Sequence, residues 1–170
     1  MSALGELSAT PSLAALAAIF APGILHKGEA LRSLVLTTPQ RARVRESIGL
    51  DIRKLCDMAV PAVRPPEISL AAAAAASALG VELERETWQS QPRFDPGRRV
   101  FHYEHVTPVS VLVERTTTAA TVEEIIQVLE SGLRLAWITK DEDARLTRLG
   151  FRHKRADPDA AYALAGITLA

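Results

Sequence analysis

The chain has 170 residues, of which 48% are hydrophobic, and its 20 Lys and Arg balance its 20 Asp and Glu. This length and composition match one domain with a substantial apolar core and exclude a disordered chain. Because the net charge is zero, the chain has no overall basic field that would attract a polyanion.

The charges are nevertheless distributed unevenly along the chain. Residues 26–64 carry eight basic against four acidic residues, residues 65–130 carry ten acidic residues against five Arg, and residues 131–170 carry seven basic against five acidic residues. An acidic middle suits a site that binds a cation, and basic flanks could hold an anion. Chance clustering of surface charge explains the same pattern, so both interpretations stay open.

The single cysteine, Cys56, excludes an internal disulfide and a zinc site built from several cysteines. It lies in an apolar helical context, so we expect a buried thiol in a reducing, cytoplasmic compartment. The apolar run 13–25 is too short to span a bilayer, and no basic residue precedes Lys27 as a secretory signal would require. We therefore expect a soluble protein without a membrane partner.

The first half of the chain predicts helices only. Thr10 suits the start of a first helix that ends at residues 21–23, and a second short helix covers residues 28–36. A longer helix has Thr38 as its cap and Pro39 as its first residue. Its apolar residues recur every three to four positions, which predicts one buried face: Val44, Ile48, Ile52, Leu55, and Met58 or Ala59.

Strand signals appear only in the second half. Residues 61–67 contain three prolines and predict a linker, and the alanine-rich residues 68–80 predict a helix that ends at Gly80. Residues 81–88 and 98–106 both have strand composition, the second more clearly, with a Pro-Gly turn between them.

The remaining elements follow at short intervals. Thr121 and Glu124 have capping-box spacing for a helix that ends at Gly132, and residues 133–139 predict a buried strand. Residues 140–150 predict a short helix with acids at its start, and residues 157–167 predict a last helical turn or two.

These elements predict an α+β fold with a helical N-terminal half, and a small mixed sheet with helices in the C-terminal half. The predicted division is a helical region at 1–64 and an α+β region at 65–170. A single domain of residues 1–170 is the alternative.

The stretch "VFHYEHVTP", residues 100–108, carries the strongest functional signal. On a strand, His102 and Glu104 would share one side, and Tyr103 and His105 the other. His105 would stand where the strand ends, and imidazole suits general-base work near neutral pH. A neighbouring carboxylate can hold a divalent cation, which predicts metal-assisted phosphodiester hydrolysis.

The run "EHVTP", residues 104–108, resembles the "(D/E)-H-(I/V)-x-P" step of the His-Me finger (ββα-metal) nucleases, which include the HNH-type enzymes. The resemblance covers five residues and implies that His105 is the general base and Glu104 its acidic partner at the metal. In that family an Asn or His on the following helix completes the site. This chain has no asparagine, and its next histidine is His153.

The candidate ligands for Mg²⁺ or Mn²⁺ are Glu104, His102 and Asp95. An acid–spacer–acid-x-Lys pattern of the restriction type can be tried on Asp95 and Glu104, but Val106 stands where the lysine is needed. A structural zinc site that uses His102, His105 and an acid is another possibility, as is an edge strand with ordinary hydrogen-bonded histidines.

Two basic groups are candidates for nucleic-acid contacts. One comprises Arg148, just before Gly150, and Arg152, Lys154 and Arg155 after it, and the other comprises Arg41 and Arg45 in the first turns of the third helix. The consecutive acids 141–143 are interpreted as the acidic first turn of a helix.

The sequence lacks a phosphate-binding P-loop, a dinucleotide fingerprint and a nucleophile elbow. The leading hypothesis is a small metal-dependent endonuclease of a restriction or other defence type, with DNA favoured over RNA. The alternative is a non-catalytic nucleic-acid-binding or partner-binding regulatory module. A homodimer formed through the apolar N-terminal helices is a further expectation.

Overall fold

Two long helices make up the N-terminal part of the fold. In the computed structural model, which describes residues 10–170, helix α1 spans Leu13–Ser33 and helix α2 spans Thr38–Ala59. The side chains of Ser12 and Thr37 cap these helices by accepting hydrogen bonds from the backbone N–H three residues later. Residues 1–9 of the predicted helical region lie outside the described residues.

Helix α1 continues through Pro22, where the sequence predicted that a first helix would end. Pro22 lies on the exposed side, and the buried stripe continues past it from Leu16 and Ala17 to Ile24 and Leu31. A proline inside a helix costs about 3 kcal/mol. Burial of an uninterrupted apolar stripe against the neighbouring helices outweighs that cost, so the prediction of two helices was wrong.

A three-stranded mixed sheet forms in the C-terminal part. Strands β1, Glu67–Ile68, and β2, Phe101–His105, flank the central strand β3, Leu135–Thr139. Strand β1 is parallel to β3, and β2 is antiparallel to it. The small mixed sheet was predicted, although β1 lies where the prolines predicted only a linker.

The remaining helices are short. They are α3 at Leu70–Leu79, α4 at Gln91–Phe94, α5 at Val109–Thr118, α6 at Val122–Gly132, α7 at Lys140–Arg148 and α8 at Pro158–Leu164, with a 3₁₀ turn at Leu83–Arg85. Helices α3 and α7 contact the sheet, whereas α5 and α6 pack against α1 and α2. The α+β class is therefore confirmed. Within residues 10–170, no helix has both the length and the apolar character needed to cross a membrane.

One predicted strand is absent from the structure, and one helix was not predicted. Residues 81–88 form a 3₁₀ turn and loops instead of a strand, because only Leu83 in that run is fully buried. Residues 109–118 form helix α5, which the β-branched composition concealed. Its buried residues recur at helical spacing: Val109, Leu112, Val113, Thr116 and Thr117.

Three apolar clusters hold the elements together. The largest joins α1 and α2 to α5 and α6, so it combines residues from both sides of position 64. The other two cover opposite faces of the sheet, with Ala136 and Ile138 on one face and Phe101 and Trp137 on the other. Helix α7 follows β3 directly and contacts β2, which brings the first turn of α7 beside the side chains of β2.

Candidate functional site

Strand β2 divides the motif residues between two faces, as the sequence predicted. The rings of Phe101 and Tyr103 lie 6.3 and 4.5 Å from the ring of Trp137, in the apolar layer. On the other face, His102 Nε2 lies 2.8 Å from Glu104 Oε2. The alternation of β2 therefore places an imidazole beside a carboxylate.

Helix α7 adds a second carboxylate to this pair. Thr139 and Glu142 form a capping box that fixes the start of α7 at the end of β3. Asp143 comes next, and its Oδ1 lies 3.8 Å from His102 Nε2. One ligand atom from each of His102, Glu104 and Asp143 lies within 4.8 Å of the other two. We call these three half-buried residues the metal-ligand group.

The hydrogen bonds of His102 define its tautomer. Lys140 Nζ lies 3.2 Å from His102 Nδ1. Because an ammonium group has no acceptor, Nδ1 accepts this bond, and the ring proton is on Nε2, which donates to Glu104. A cation could bind Nε2 only after this proton is displaced.

Arg155 binds the carboxylate oxygen of Glu104 that His102 does not contact. Only 2% of Arg155 is exposed, and its guanidinium donates to Glu104 Oε1. It also donates to the carbonyl oxygens of His105 and Val106, each at 3.0 Å. Burial by itself raises the pKa of Glu104, but the hydrogen bonds and charges of His102 and Arg155 outweigh burial and lower that pKa, so the carboxyl group is an anion at neutral pH.

His105 ends β2 and lies beside Cys56 of α2, with 3.9 Å between Nδ1 and Sγ. Burial lowers the pKa of His105 to about 4, although Glu104 opposes this shift. Burial also raises the pKa of the Cys56 thiol to about 12. At neutral pH the two groups are therefore an uncharged imidazole and an uncharged thiol, which is not the ion pair of a nucleophilic cysteine.

The metal-ligand group and His105 open into one cavity of about 260 Å³. Its walls combine β2, α7, the start of α5, the 152–153 loop and α2: Arg53, His102, Glu104, His105, Pro108, Val109, Ser110, Asp143, Arg152 and His153. Two carboxylates, three imidazoles and two guanidinium groups therefore share a small space. We call it the site cavity.

The predicted basic residues are not all in this cavity. Arg152 lines it, and Lys154 lines a neighbouring cavity that also includes Ser110 and His153. Arg155, predicted to contact phosphate, is buried against Glu104 and the end of β2. Arg148 and Arg45 are exposed on α7 and α2. Arg41, also exposed, donates a hydrogen bond to the carbonyl oxygen of Leu31.

The structure gives Asp95 a different environment from the metal-ligand group. Only 3% of Asp95 is exposed, and its carboxylate accepts hydrogen bonds from the backbone N–H of Arg99, Val100 and Phe101 and from the side chain of Gln91. These bonds fix the loop that leads into β2. Asp95 is therefore a buried structural residue that fixes the loop before β2.

Three residues of the site were not selected from the sequence. Asp143 was interpreted as one of the acids of a helix start, and Lys140 precedes it on the same helix. Arg53 lies off the apolar stripe of α2 and was not among the candidate residues. The sequence signal that could have pointed to Asp143 was the capping box of Thr139 and Glu142. It uses the Glu142 carboxylate to cap the helix, whereas the carboxylates of Asp141 and Asp143 take no part in it.

Comparison of the chain with protein-family models, curated proteins and solved structures gave no match.

Proposed function

We propose that this protein is a metal-dependent phosphodiesterase that cleaves nucleic acid, with His102, Glu104 and Asp143 as the ligands of Mn²⁺ or Mg²⁺. The observation that carries the proposal is that these three ligand atoms lie within 4.8 Å of one another in a cavity that Arg53 and Arg152 also line. Metal-assisted hydrolysis of a phosphodiester uses this combination of a cation site and phosphate-binding groups.

The donor set favours Mn²⁺ over Mg²⁺. Mg²⁺ prefers oxygen ligands alone in regular octahedral geometry, whereas Mn²⁺ also accepts an imidazole nitrogen. A cation bound here would neutralise charge on the scissile phosphate and lower the pKa of a bound water. The cationic side chains of Arg53 and Arg152 would bind the phosphate oxygens.

His105 is the proposed proton acceptor for the attacking water. Burial keeps its imidazole uncharged at neutral pH, so the ring has a lone pair for a proton, but a pKa of about 4 makes it a weak base unless a bound anion, such as the substrate phosphate, raises that pKa. Its Nδ1 faces Cys56, so Nε2 is the nitrogen that remains for a water. The resemblance of residues 104–108 to the His-Me finger nucleases supports the same roles for Glu104 and His105.

The order of the elements supports this chemistry as well. Strands β2 and β3 are antiparallel, and α7 follows β3, so the ligands come from a strand–strand–helix unit. Helices α5 and α6 are inserted between its two strands. Asp143 would take the position for which the His-Me finger nucleases use an Asn or His on the helix.

A test of the proposal is cleavage of labelled single-stranded and duplex DNA and RNA in the presence of Mn²⁺, Mg²⁺ or EDTA. We expect cleavage with Mn²⁺ that EDTA abolishes, and a loss of at least about 100-fold in Asp143→Asn and in His105→Ala. Asp141→Asn is the matched control, because Asp141 is an exposed acid on the same helix outside the metal-ligand group. Equal activity of Asp143→Asn and Asp141→Asn would refute the proposed site.

One observation favours a second function, that of a non-catalytic nucleic-acid-binding module. Lys140 already donates a hydrogen bond to His102, and Arg155 donates one to Glu104. The metal-ligand group is therefore also consistent with a structural hydrogen-bond network that binds no metal. The exposed Arg152 and Lys154 would then bind phosphates without catalysis. This function predicts salt-sensitive binding that His105→Ala leaves unchanged, and no cleavage with any metal.

A further inference from the structure

A second cavity, with a volume of about 430 Å³, adjoins the site cavity. It lies between α5 and the loop that follows α7, and its walls include Ser110, Val111, Glu114, His153 and Ala156. Ser110 and His153 line the site cavity as well. The two spaces therefore meet at these two residues. The second cavity falls within the usual size range of ligand pockets, whereas the site cavity, at about 260 Å³, is below it.

Hydrogen bonds on both sides of His153 hold its backbone at this junction. Ser110 Oγ donates to the carbonyl oxygen of His153 at 3.1 Å. Two residues later, the buried Arg155 donates to the carbonyl oxygens of Phe151 and His105, at 2.6 and 3.0 Å. These bonds fasten the loop to α5 and to the end of β2. The backbone of His153 therefore has a fixed place relative to His105.

The two histidines of the cavity lie on different walls and in different surroundings. His105 ends β2 beside Cys56 of α2, and burial lowers the pKa of its imidazole to about 4. His153 lies on the wall formed by the loop and α5, and it is exposed to solvent. Imidazole is the side chain that both gives and takes protons near neutral pH. One half-buried and one exposed imidazole at the same cavity suit a base and an acid that act on one substrate.

Cleavage of a nucleic acid needs an acid as well as a base. When water attacks the phosphorus, the bond to the bridging oxygen breaks, and that oxygen keeps the electron pair. In a nucleic acid it would leave as an alkoxide, a strong base, so a proton given to it speeds the step. The leaving oxygen lies opposite the attacking water in an in-line displacement. With the water at His105, the acid is therefore expected on another wall of the cavity.

We propose that His153 is this acid and protonates the leaving oxygen at the junction of the two cavities. This inference rests on the proposed function of the site cavity. His105 takes a proton from the attacking water as the new P–O bond forms, and His153 gives its proton to the bridging oxygen as the old P–O bond breaks. The products are a phosphomonoester and a free hydroxyl group. The two imidazoles then return to their starting states by proton exchange with water.

Two phosphodiesters that differ in their leaving groups provide the test. A labelled single-stranded DNA releases an alkoxide, which needs a proton, whereas bis(p-nitrophenyl) phosphate releases an aryl oxide, which departs as a stable anion. The full chain would be assayed on both with Mn²⁺. We expect His153→Ala to lower kcat on the DNA on the order of 100-fold, the usual contribution of a general acid. Its hydrolysis of bis(p-nitrophenyl) phosphate should change by less than about threefold, because that leaving group needs no acid.

Arg152→Ala is the matched control, because Arg152 belongs to the same loop and lines the same cavity. Its guanidinium would bind the phosphate, which both substrates contain, so its loss should slow both reactions to a similar extent. His26→Ala removes another exposed imidazole, on α1, and should slow neither reaction. The affinity for the DNA in EDTA, measured as fluorescence anisotropy, should be the same for His153→Ala and the unaltered chain, since the acid acts on the breaking bond.

The inference is overturned if His153→Ala slows both substrates alike, as a phosphate-binding or structural residue would, or if it slows neither. A higher KM for the DNA at an unchanged kcat would overturn it as well. Its failure is distinguishable from that of the proposed function. DNA cleavage that Asp143→Asn loses and His153→Ala keeps would remove the role of His153 and keep the function. If the unaltered chain cleaves neither substrate with any metal, the function fails and this inference fails with it.

Discussion

The Oδ1 atom of Asp143 lies 3.8 Å from His102 Nε2, although two helices and strand β3 separate these residues along the chain. The antiparallel register of β2 and β3, in which His102 is opposite Ile138, brings the start of α7 beside His102. Without this pairing, His102 and Glu104 alone would offer only two ligands to a cation.

Binding of Mn²⁺ should therefore stabilise the fold through Asp143. At a free Mn²⁺ concentration 100 times its Kd, we expect the free energy of unfolding to rise by about 2.7 kcal/mol, because the cation binds only the folded chain. Asp143→Asn should lose most of this gain, and Asp141→Asn should keep it. Urea unfolding with Mn²⁺ and with EDTA measures the difference, and an equal gain in both variants would contradict the ligand role of Asp143.

Lys140 should oppose cation binding, because it donates to His102 Nδ1 and thereby keeps the ring proton on Nε2. Its positive charge also lies close to the metal-ligand group. We expect Lys140→Met to bind Mn²⁺ roughly three- to tenfold more tightly, measured by titration calorimetry. Lys154→Met, which removes an exposed cation from a loop, is the control. Weaker binding by Lys140→Met would instead mean that Lys140 holds the imidazole in a binding orientation.

What could be predicted from the sequence was local. Alternation along a strand has a period of two, so the sequence alone placed His102 and Glu104 on one face, and the structure confirms it. Likewise Gly80 has the left-handed conformation, φ 66°, with which helices commonly end. Such features depend on a few neighbouring residues and need no knowledge of the fold.

What could not be predicted depends on long-range pairing. Asp143 joins the metal-ligand group through the register of β2 with β3, which no local pattern encodes. Arg155 lies in a run of basic residues that resembles an exposed phosphate-binding loop. It is buried because the carbonyl oxygens at the end of β2 and the Glu104 carboxylate need a donor.

The ion pair between Arg155 and Glu104 should be needed for stability. Removal of Arg155 leaves the Glu104 carboxylate, whose side chain is 14% exposed, without its cation, and breaking a buried ion pair in this way typically costs about 3–5 kcal/mol. We expect Arg155→Ala to lower the free energy of unfolding by about this amount, since its guanidinium also binds two carbonyl oxygens. Urea unfolding of Arg155→Ala and of Arg152→Ala tests this.

Arg152 is exposed, so its removal should change the stability by no more than about 0.5 kcal/mol and should weaken nucleic-acid binding instead. If Arg155→Ala were as stable as Arg152→Ala, the buried network would have no energetic role. The same result would make Arg155 a candidate phosphate contact again.

Asp95 should make the stability of the fold depend on pH. Burial by itself raises the pKa of its carboxyl group, but the N–H donors of Phe101, Val100 and Arg99 and the amide of Gln91 outweigh burial and lower that pKa. A carboxyl group with a lowered pKa in the folded state stabilises the fold above the unfolded pKa, about pH 4. This contribution is lost as the pH falls through the folded value.

We therefore expect Asp95→Asn to be less stable than the unaltered chain by roughly 2 kcal/mol between pH 5 and pH 8, because the ionised carboxylate forms stronger hydrogen bonds than an amide. Below about pH 4 the difference should shrink, since the carboxyl group becomes protonated and loses this advantage. Urea unfolding at a series of pH values measures the difference, with Asp141→Asn as the exposed control. A difference that stays constant down to pH 2 would show that the charge of Asp95 does not stabilise the loop that leads into the site.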